Sequence, residues 1–397
     1  EIVLGNTLVD MYSKCGILVK AHEVLESLPV RDVVSWNALI SGYVQHGQYY
    51  EALQCFEYLQ TEGLFPDAVT FICILKSCGS LRDIEKGTQV HDKILSMNLI
   101  LKDIVLSNAL VDMYAKCGAL AKALEVLKEL HVRDIVSWNV IISSYAQQGQ
   151  GYEALNCFEQ MEKEGLSPDA ITFLCILKAC GSTGAIEKGQ KFQANIRSRG
   201  LLEKDLALGN ALVDMYVKFG SLMKAEQVLM ELPIRSVVSW NSLISGYVLQ
   251  NKGQEALKYF RRMQSEGIFP DEVTFICIAK ACAIVGNIER AKQIHNEVMN
   301  RGFLEKDMGL GNALVDMYAK CGELAKAQEV LELIPVRDRI SWNALIAGHA
   351  EQGQCDEAIN CFEWMQSEGL SADEVTFICV LKACASTGAT DKGEKIH

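Results

Sequence analysis

The sequence predicts an all-α chain, an α-solenoid superhelix of stacked helix-turn-helix repeats, and three observations carry that expectation. The string Ser-Trp-Asn recurs at Ser35, Ser137, Ser239 and Ser341, always 102 residues apart. A second string, Asn-Ala/Thr-Leu-Val-Asp-Met-Tyr, starts at Asn6, Asn108, Asn210 and Asn312 with the same interval. A third, Val/Ile-Thr-Phe-Ile/Leu-Cys, starts at Val69, Ile171, Val273 and Val375. Self-similarity at a fixed period marks repeat architectures, in which each unit buries its apolar face against its neighbours. The composition agrees with a folded chain: 397 residues, 49% apolar, 22% charged and only 6 Pro exclude a disordered tail, a collagen or a Pro-rich linker. The 15 Cys are too sparse for a disulfide scaffold.

Each 102-residue block divides into three units of 31, 35 and 36 residues. The short units are 2–32, 104–134, 206–236 and 308–338. The intermediate units are 33–67, 135–169, 237–271 and 339–373, and the long units are 68–103, 170–205 and 272–307. A partial long unit, 374–397, ends inside its second helix, so the chain is expected to be one array, 1–397, cut from a longer protein. Within 135–169, Val136, Ile141, Ile142 and Tyr145 form one apolar stripe, and Gly149 breaks it. Ala154, Leu155, Phe158 and Met161 form a second stripe, which Gly165 and Pro168 stop as a C-terminal Gly and a following Pro do. Each unit is thus a helical hairpin. One hairpin cannot bury both its faces, so neighbours must stack in two layers around one core. The tetratricopeptide pattern Trp-x2-Leu-Gly-x2-Tyr is absent, because Asn follows each recurrent Trp.

The unit lengths, with Val-Val-Ser-Trp-Asn-Ala-Leu-Ile-Ser-Gly-Tyr, Val-Thr-Phe-Ile-Cys-Ile-Leu-Lys-Ser-Cys and Asn-Ala-Leu-Val-Asp-Met-Tyr-Ala-Lys-Cys-Gly, give the chain a family likeness. It resembles the plant pentatricopeptide repeat proteins of the PLS subclass over its whole length. Short, intermediate and long units match S-, P- and L-type motifs.

The fifth residue of every short and intermediate unit is Asn: Asn6, Asn37, Asn108, Asn139, Asn210, Asn241, Asn312 and Asn343. The last residue of those units is Asp32, Asp67, Asp134, Asp169, Ser236, Asp271, Asp338 or Asp373. From the residues alone, Asn near a helix start and Asp before the next helix read equally as caps. The resemblance implies instead that the fifth and last residues together read one RNA base. An Asn amide carries an acceptor and a donor that match the N3–H and a carbonyl of uracil, and a carboxylate can hold it in place. The resemblance assigns Asn/Asp to U, and Asn210 with Ser236 to C. Ile72, Leu174 and Ile276 in the long units offer no base-edge hydrogen bond and are expected to space the RNA. In chain order the implied target is UUnUUnCUnUUn.

Two further series have a structural and a binding reading. Val3, Val34, Val69, Val105, Val136, Ile171, Val238, Val273, Ile340 and Val375 occupy the second position of their units. They either pack at a helix start or, as the resemblance implies, sandwich the bases; Ala207 and Gly309 depart from the pattern. Lys14, Lys116, Lys218 and Lys320 follow the recurrent Asn by eight residues, about two turns along, where they are solvated cations or phosphate contacts.

Other chemistries find little support. The balance of 38 Lys+Arg against 50 Asp+Glu gives −12, the opposite of the usual basic footprint of a nucleic-acid binder. The pairs Cys73/Cys78, Cys175/Cys180, Cys277/Cys282 and Cys379/Cys384 are five residues apart. On a helix that is about 7.5 Å and about 140° of rotation, wrong for a disulfide or a shared metal, so packing is expected. Editing members of the resembled family end in a zinc-dependent cytidine-deaminase-like domain, which needs His-x-Glu and Cys-x-x-Cys. His295-Asn296-Glu297 and His349-Ala350-Glu351 supply the first half, but Cys-x-x-Cys occurs nowhere. The recurrent Trp residues, with Trp364, are expected in the core. No metal, cofactor, membrane span or organellar leader is read from the sequence. The resemblance implies a single-stranded RNA-binding arm of a C-to-U editing factor, with a deaminase-like domain in cis or trans outside this chain, in a mitochondrion or plastid. The alternative is a scaffold whose long units hold multiple organellar RNA editing factor proteins.

Overall fold

The computed structural model describes residues 2–387 except 98, 100–102, 131, 305 and 306; residues 388–397 of the partial long unit lie outside the described residues. Among the described residues there are 23 α-helices, one short 3-10 helix at Leu201–Glu203 and no strand. They form two compact units, 1–192 and 193–397.

In the first compact unit, the first helices of successive hairpins are Ile2–Lys14, Val33–Gln45, Ala68–Leu81, Ile104–Lys116, Ile135–Gln147 and Ala170–Thr183. In the second they are Leu206–Lys218, Val237–Leu249, Glu272–Val285, Met308–Lys320, Arg339–Glu351 and Glu374–Thr387. Within each compact unit neighbouring first helices pack side by side as one layer. Each described second helix other than Ile186–Ser198 lies between the first helix of its own hairpin and that of the next. The second helices of the short repeats have 10 residues, as in Leu18–Ser27, against 13 in Tyr49–Thr61, which accounts for most of the length difference. Gly149 and Gly165 both sit at positive φ, +77° and +78°, where glycine avoids the Cβ penalty and lets the chain leave the helix.

The core is built from the recurrent apolar positions. Ile141, Ile142, Tyr145, Ala154, Leu155, Phe158 and Met161 are all buried, but Val136 is not part of that stripe: it is 52% exposed. Trp36, Trp138, Trp240 and Trp342 are buried as well, whereas Trp364 stands 48% exposed on Cys355–Ser367. It lines a surface cleft with Gln328, Leu331, Glu332 and Arg337, open to solvent, so the expectation of a core Trp fails there. Helices approach closely where the sequence has Gly; a Cβ on Gly42 would come within 2.5 Å of Ser13 Cβ.

A polar clip joins each short repeat to the intermediate one after it. Glu62 takes the Arg31 guanidinium at 2.7 Å and the Trp36 indole N–H at 2.8 Å. Arg133 and Trp138 meet Glu164 in the same way, and Arg337 and Trp342 meet Glu368. In the fourth clip Glu266 takes Arg235 while the Trp240 N–H has no partner. Long and short repeats are joined differently, by His91 to the Tyr114 hydroxyl at 3.0 Å and His295 to Tyr318 at 2.9 Å. Burial pulls both imidazoles below their ordinary pKa.

Cys78, Cys180 and Cys282 are buried, and burial pushes their thiols up to about 12, so they act as small apolar residues. No described helix is long and apolar enough to cross a membrane.

Candidate nucleic-acid interface

The last residue of each repeat caps the next first helix. Asp32, Asp67, Asp134, Asp169, Ser236, Asp271 and Asp338 each close a capping box, accepting from the backbone N–H of the third helical residue while that residue's hydroxyl accepts from the cap. Asp373 makes the same pair of bonds with Thr376. The long repeats end in Asp103, Asp205 and Asp307, which also cap, although the fifth residue of those repeats is Ile72, Leu174 or Ile276 rather than an Asn. Capping alone therefore explains an Asp at these ends.

At the ends of short and intermediate repeats the same side chain does a second thing. The Asn139 amide donates to both Asp169 oxygens, at 3.0 and 3.2 Å, and Asn312 to both Asp338 oxygens, at 3.1 and 3.0 Å. Asn6 to Asp32, Asn37 to Asp67, Asn108 to Asp134, Asn241 to Asp271 and Asn343 to Asp373 are hydrogen-bonded likewise, at 2.8 to 3.2 Å. The two sequence readings, cap and amide holder, thus coexist in one carboxylate. Burial would raise the Asp169 and Asp271 pKa, but the bonds from Thr172 or Thr274 and from the Asn amide outweigh it and hold both carboxylates below 3.8. They are anions at neutral pH and can only accept.

A carboxylate fixes the amide's orientation: the NH2 turns to Asp, leaving the carbonyl to point elsewhere. The hinge between Asn210 and Ser236 reverses this. There the Ser236 hydroxyl donates to Asn210 Oδ1 at 2.9 Å, and the NH2 is the end left over.

Beside each amide lies an exposed aliphatic residue. Val3, Val34, Val69, Val105, Val136, Ile171, Val238, Val273, Ile340 and Val375 are all between 51% and 74% exposed, so they do not pack into the core at the helix start. A cleft of about 700 Å³ is lined by Val3, Val34 and Val69 together with Asn6, Asp32, Asn37 and Asp67. A second, of about 510 Å³, brings Asn312 and Asn343 together with Ile340 and Val375; Gly309 leaves its short-repeat side without a side chain. Such clefts have a polar edge with fixed donors and acceptors and apolar walls, the surroundings that suit a flat heterocycle.

Lys14, Lys116, Lys218 and Lys320 do not stand free. Each is paired to the Asp one turn before it, with Asp10, Asp112 and Asp214 at 2.7 Å and Asp316 at 2.9 Å. The i,i+4 spacing that makes this pair was visible in Val-Asp-Met-Tyr-Ala-Lys. Sequence reasoning also passed over Thr70, Thr172, Thr274 and Thr376, whose hydroxyls donate to the Oδ1 of Asn37, Asn139, Asn241 and Asn343 at 2.6 to 2.7 Å. Among the described residues no cluster of three or more His, Cys, Asp or Glu could hold a metal.

Comparison with known proteins gives a consistent result. A model described as "PPR repeat family" matches residues 31–80, 133–182, 235–284 and 337–386, and a "PPR repeat" model matches 105–135, 210–237 and 312–338. A mitochondrial pentatricopeptide repeat-containing protein of Arabidopsis thaliana is 35% identical over 411 residues, covering 98% of this chain and 45% of that protein. A chloroplastic one from the same plant is 34% identical over 389 residues, covering 98% and 48%. The chain thus spans about half the length of these curated relatives. Among solved structures, PPR10 in complex with an 18-nt psaJ RNA element superposes with a TM-score of 0.81 at 19% identity, covering 99% of this chain and 59% of that one.

Proposed function

Because the chain belongs to the pentatricopeptide repeat family, we propose that its Asn clefts bind single-stranded RNA and read one base per short or intermediate repeat. The observation that carries this is the hydrogen-bonded couple between the fifth residue and the last, present at seven Asn/Asp hinges and inverted at Asn210/Ser236. The inversion has a chemical meaning. With the NH2 turned to Asp, the end of the amide that remains to accept is the carbonyl, and uracil's N3–H is a donor for it. That carbonyl is without a protein partner at Asn6, Asn108 and Asn312, and has one lone pair beyond the Thr hydroxyl bond at Asn37, Asn139, Asn241 and Asn343. With Ser236 donating into the carbonyl, the NH2 is offered to an acceptor, and cytosine's N3 is one. Complementary pairing of this kind discriminates because the wrong base leaves a desolvated polar group unpaired, at about 1–3 kcal/mol. The aliphatic second-position residues cover the base faces.

In chain order this gives UUnUUnCUnUUn, with the long repeats passing one nucleotide each. The chain is the recognition arm of an organellar C-to-U editing factor of the PLS subclass, acting in a mitochondrion or plastid. The deamination itself belongs to a cytidine-deaminase-like domain in cis or trans, assisted by multiple organellar RNA editing factor proteins. In support, its relatives carry mitochondrial and chloroplastic names, and PPR10, which shares the fold, is described in complex with RNA.

Fluorescence anisotropy with UUAUUACUAUUA and a composition-matched scramble tests the reading; tighter binding of the first is expected, and equal affinities at two salt concentrations would sink it. Ser236→Asp should move the preference at the seventh nucleotide from C to U and leave the other positions unchanged.

A further inference from the structure

The long repeats carry Ile72, Leu174 and Ile276 where the others carry Asn, so a role for them on RNA must lie off the base edge. One turn further along the same helices, at the ninth residue of each repeat, the three lengths differ in charge. Short repeats place Asp10, Asp112, Asp214 and Asp316 there, and intermediate repeats Ser41, Ser143, Ser245 and Ala347. Long repeats place Lys76, Lys178, Lys280 and Lys382.

The four aspartates are all engaged by the lysines one turn on, so each short repeat contributes a neutral pair. The four long-repeat lysines are exposed and form no ion pair with any described residue. Lys280 lies in the cleft of about 510 Å³ with Ile276, Asn312, Asn343 and Val375. That cleft also holds Asp316 and Lys320, which pair with each other, and its amides are held by Asp338 and Asp373, so Lys280 is the one charged residue of its lining left without an ion-pair partner. Lys76 occupies the same register on Ala68–Leu81, which packs along Ile104–Lys116 with its neutral pair Asp112 and Lys116.

We propose that Lys76, Lys178, Lys280 and Lys382 are phosphate-binding residues, so that a long repeat grips the phosphodiester chain at the step where it reads no base. The proposal rests on the RNA-binding reading above. An ammonium group suits this work because it meets phosphate as a point charge without demanding a fixed base or sugar geometry. It also reconciles the acidic chain with RNA, since the cations that count are those the protein has not already neutralised.

The full chain is titrated with UUAUUACUAUUA and its scramble over a series of salt concentrations. Lys280→Ala should weaken both RNAs by the same factor and make the slope of log K against log salt shallower by about 0.7, the value for one phosphate contact on a single strand. Alanine at all four lysines should remove about 3 from the slope. Lys280→Arg should keep the parent slope, and the charge-neutral pair Asp316→Asn with Lys320→Ala should leave it unchanged. A Lys280→Ala slope equal to the parent's, or a loss confined to the matched RNA, overturns the proposal. Equal binding of the two RNAs by the parent removes base reading yet leaves the slopes to judge the lysines; no binding of either RNA overturns both.

Discussion

The hinge that closes a short repeat and the hinge that closes an intermediate one use the same Asn and the same Asp, yet they hold the amide differently. At Asn139 the NH2 is bonded to Asp169 and the carbonyl to the Thr172 hydroxyl at 2.7 Å, so both ends are fixed. At Asn108 the NH2 is bonded to Asp134 at 3.2 Å, but the carbonyl is buried without a partner, as it is in Asn6 and Asn312. One residue makes the difference. The third position of the following helix is Thr in long repeats and Ser in intermediate ones, and the Ser137 hydroxyl donates to the Asp134 backbone carbonyl at 2.8 Å. Branching at Cβ restricts χ1 and holds the Thr hydroxyl toward the Asn. Two kinds of reader therefore alternate along the array: one set in advance, and one carrying an unsatisfied acceptor that an incoming N3–H would satisfy.

Removing the carboxylate should show the largest contrast. Asp169→Ala loses the cap and both bonds from the Asn139 amide and is expected to destabilise by about 2–3 kcal/mol, measured by urea denaturation followed by circular dichroism. Asp134→Ala loses a cap and a single bond from the Asn108 amide at 3.2 Å, and about 1–2 kcal/mol is expected there. If the two variants lose the same stability, the alternation has no energetic content. Next in size, Thr172→Val should turn the intermediate hinge into a short-type one, leaving Asn139 Oδ1 unpaired at about 1–2 kcal/mol. Its U-over-C ratio at the fifth nucleotide should shift toward that of the Asn108 position. The smallest effect is the converse. Ser137→Thr should bring a donor to Asn108 Oδ1 and stabilise by about 0.5–1 kcal/mol, and a loss of stability would show that the methyl cannot be seated at that hinge.

Much of this was legible in the sequence because the period is long and the punctuation chemical. The 102-residue interval, the Gly turns and the Asp at each repeat end report helix starts and stops through local physics, and that reached the all-α solenoid. The exposed second-position series could not be sorted from core by pattern, since Val136 sits at a plausible stripe spacing and is still 52% exposed. Thr172 was in plain view within Ile-Thr-Phe-Leu-Cys, but its partner Asn139 is 33 residues earlier in another hairpin. The lysine pairs were passed over for the opposite reason: the pairing of Lys14 with Asp10 is local and could have been seen, and seeing it would have turned attention to Lys76 and its equivalents.

The double duty of the repeat-closing residue constrains how such a chain can change its preferences over time. A residue there must first start a helix, which narrows the usable choices to the few short side chains with an accepting oxygen, Asp and Ser in this chain. Mutational drift at these positions is screened for folding before it is tested against any transcript. An array of this kind can thus move from one target to another by small steps among a handful of residues, with each intermediate still a folded protein.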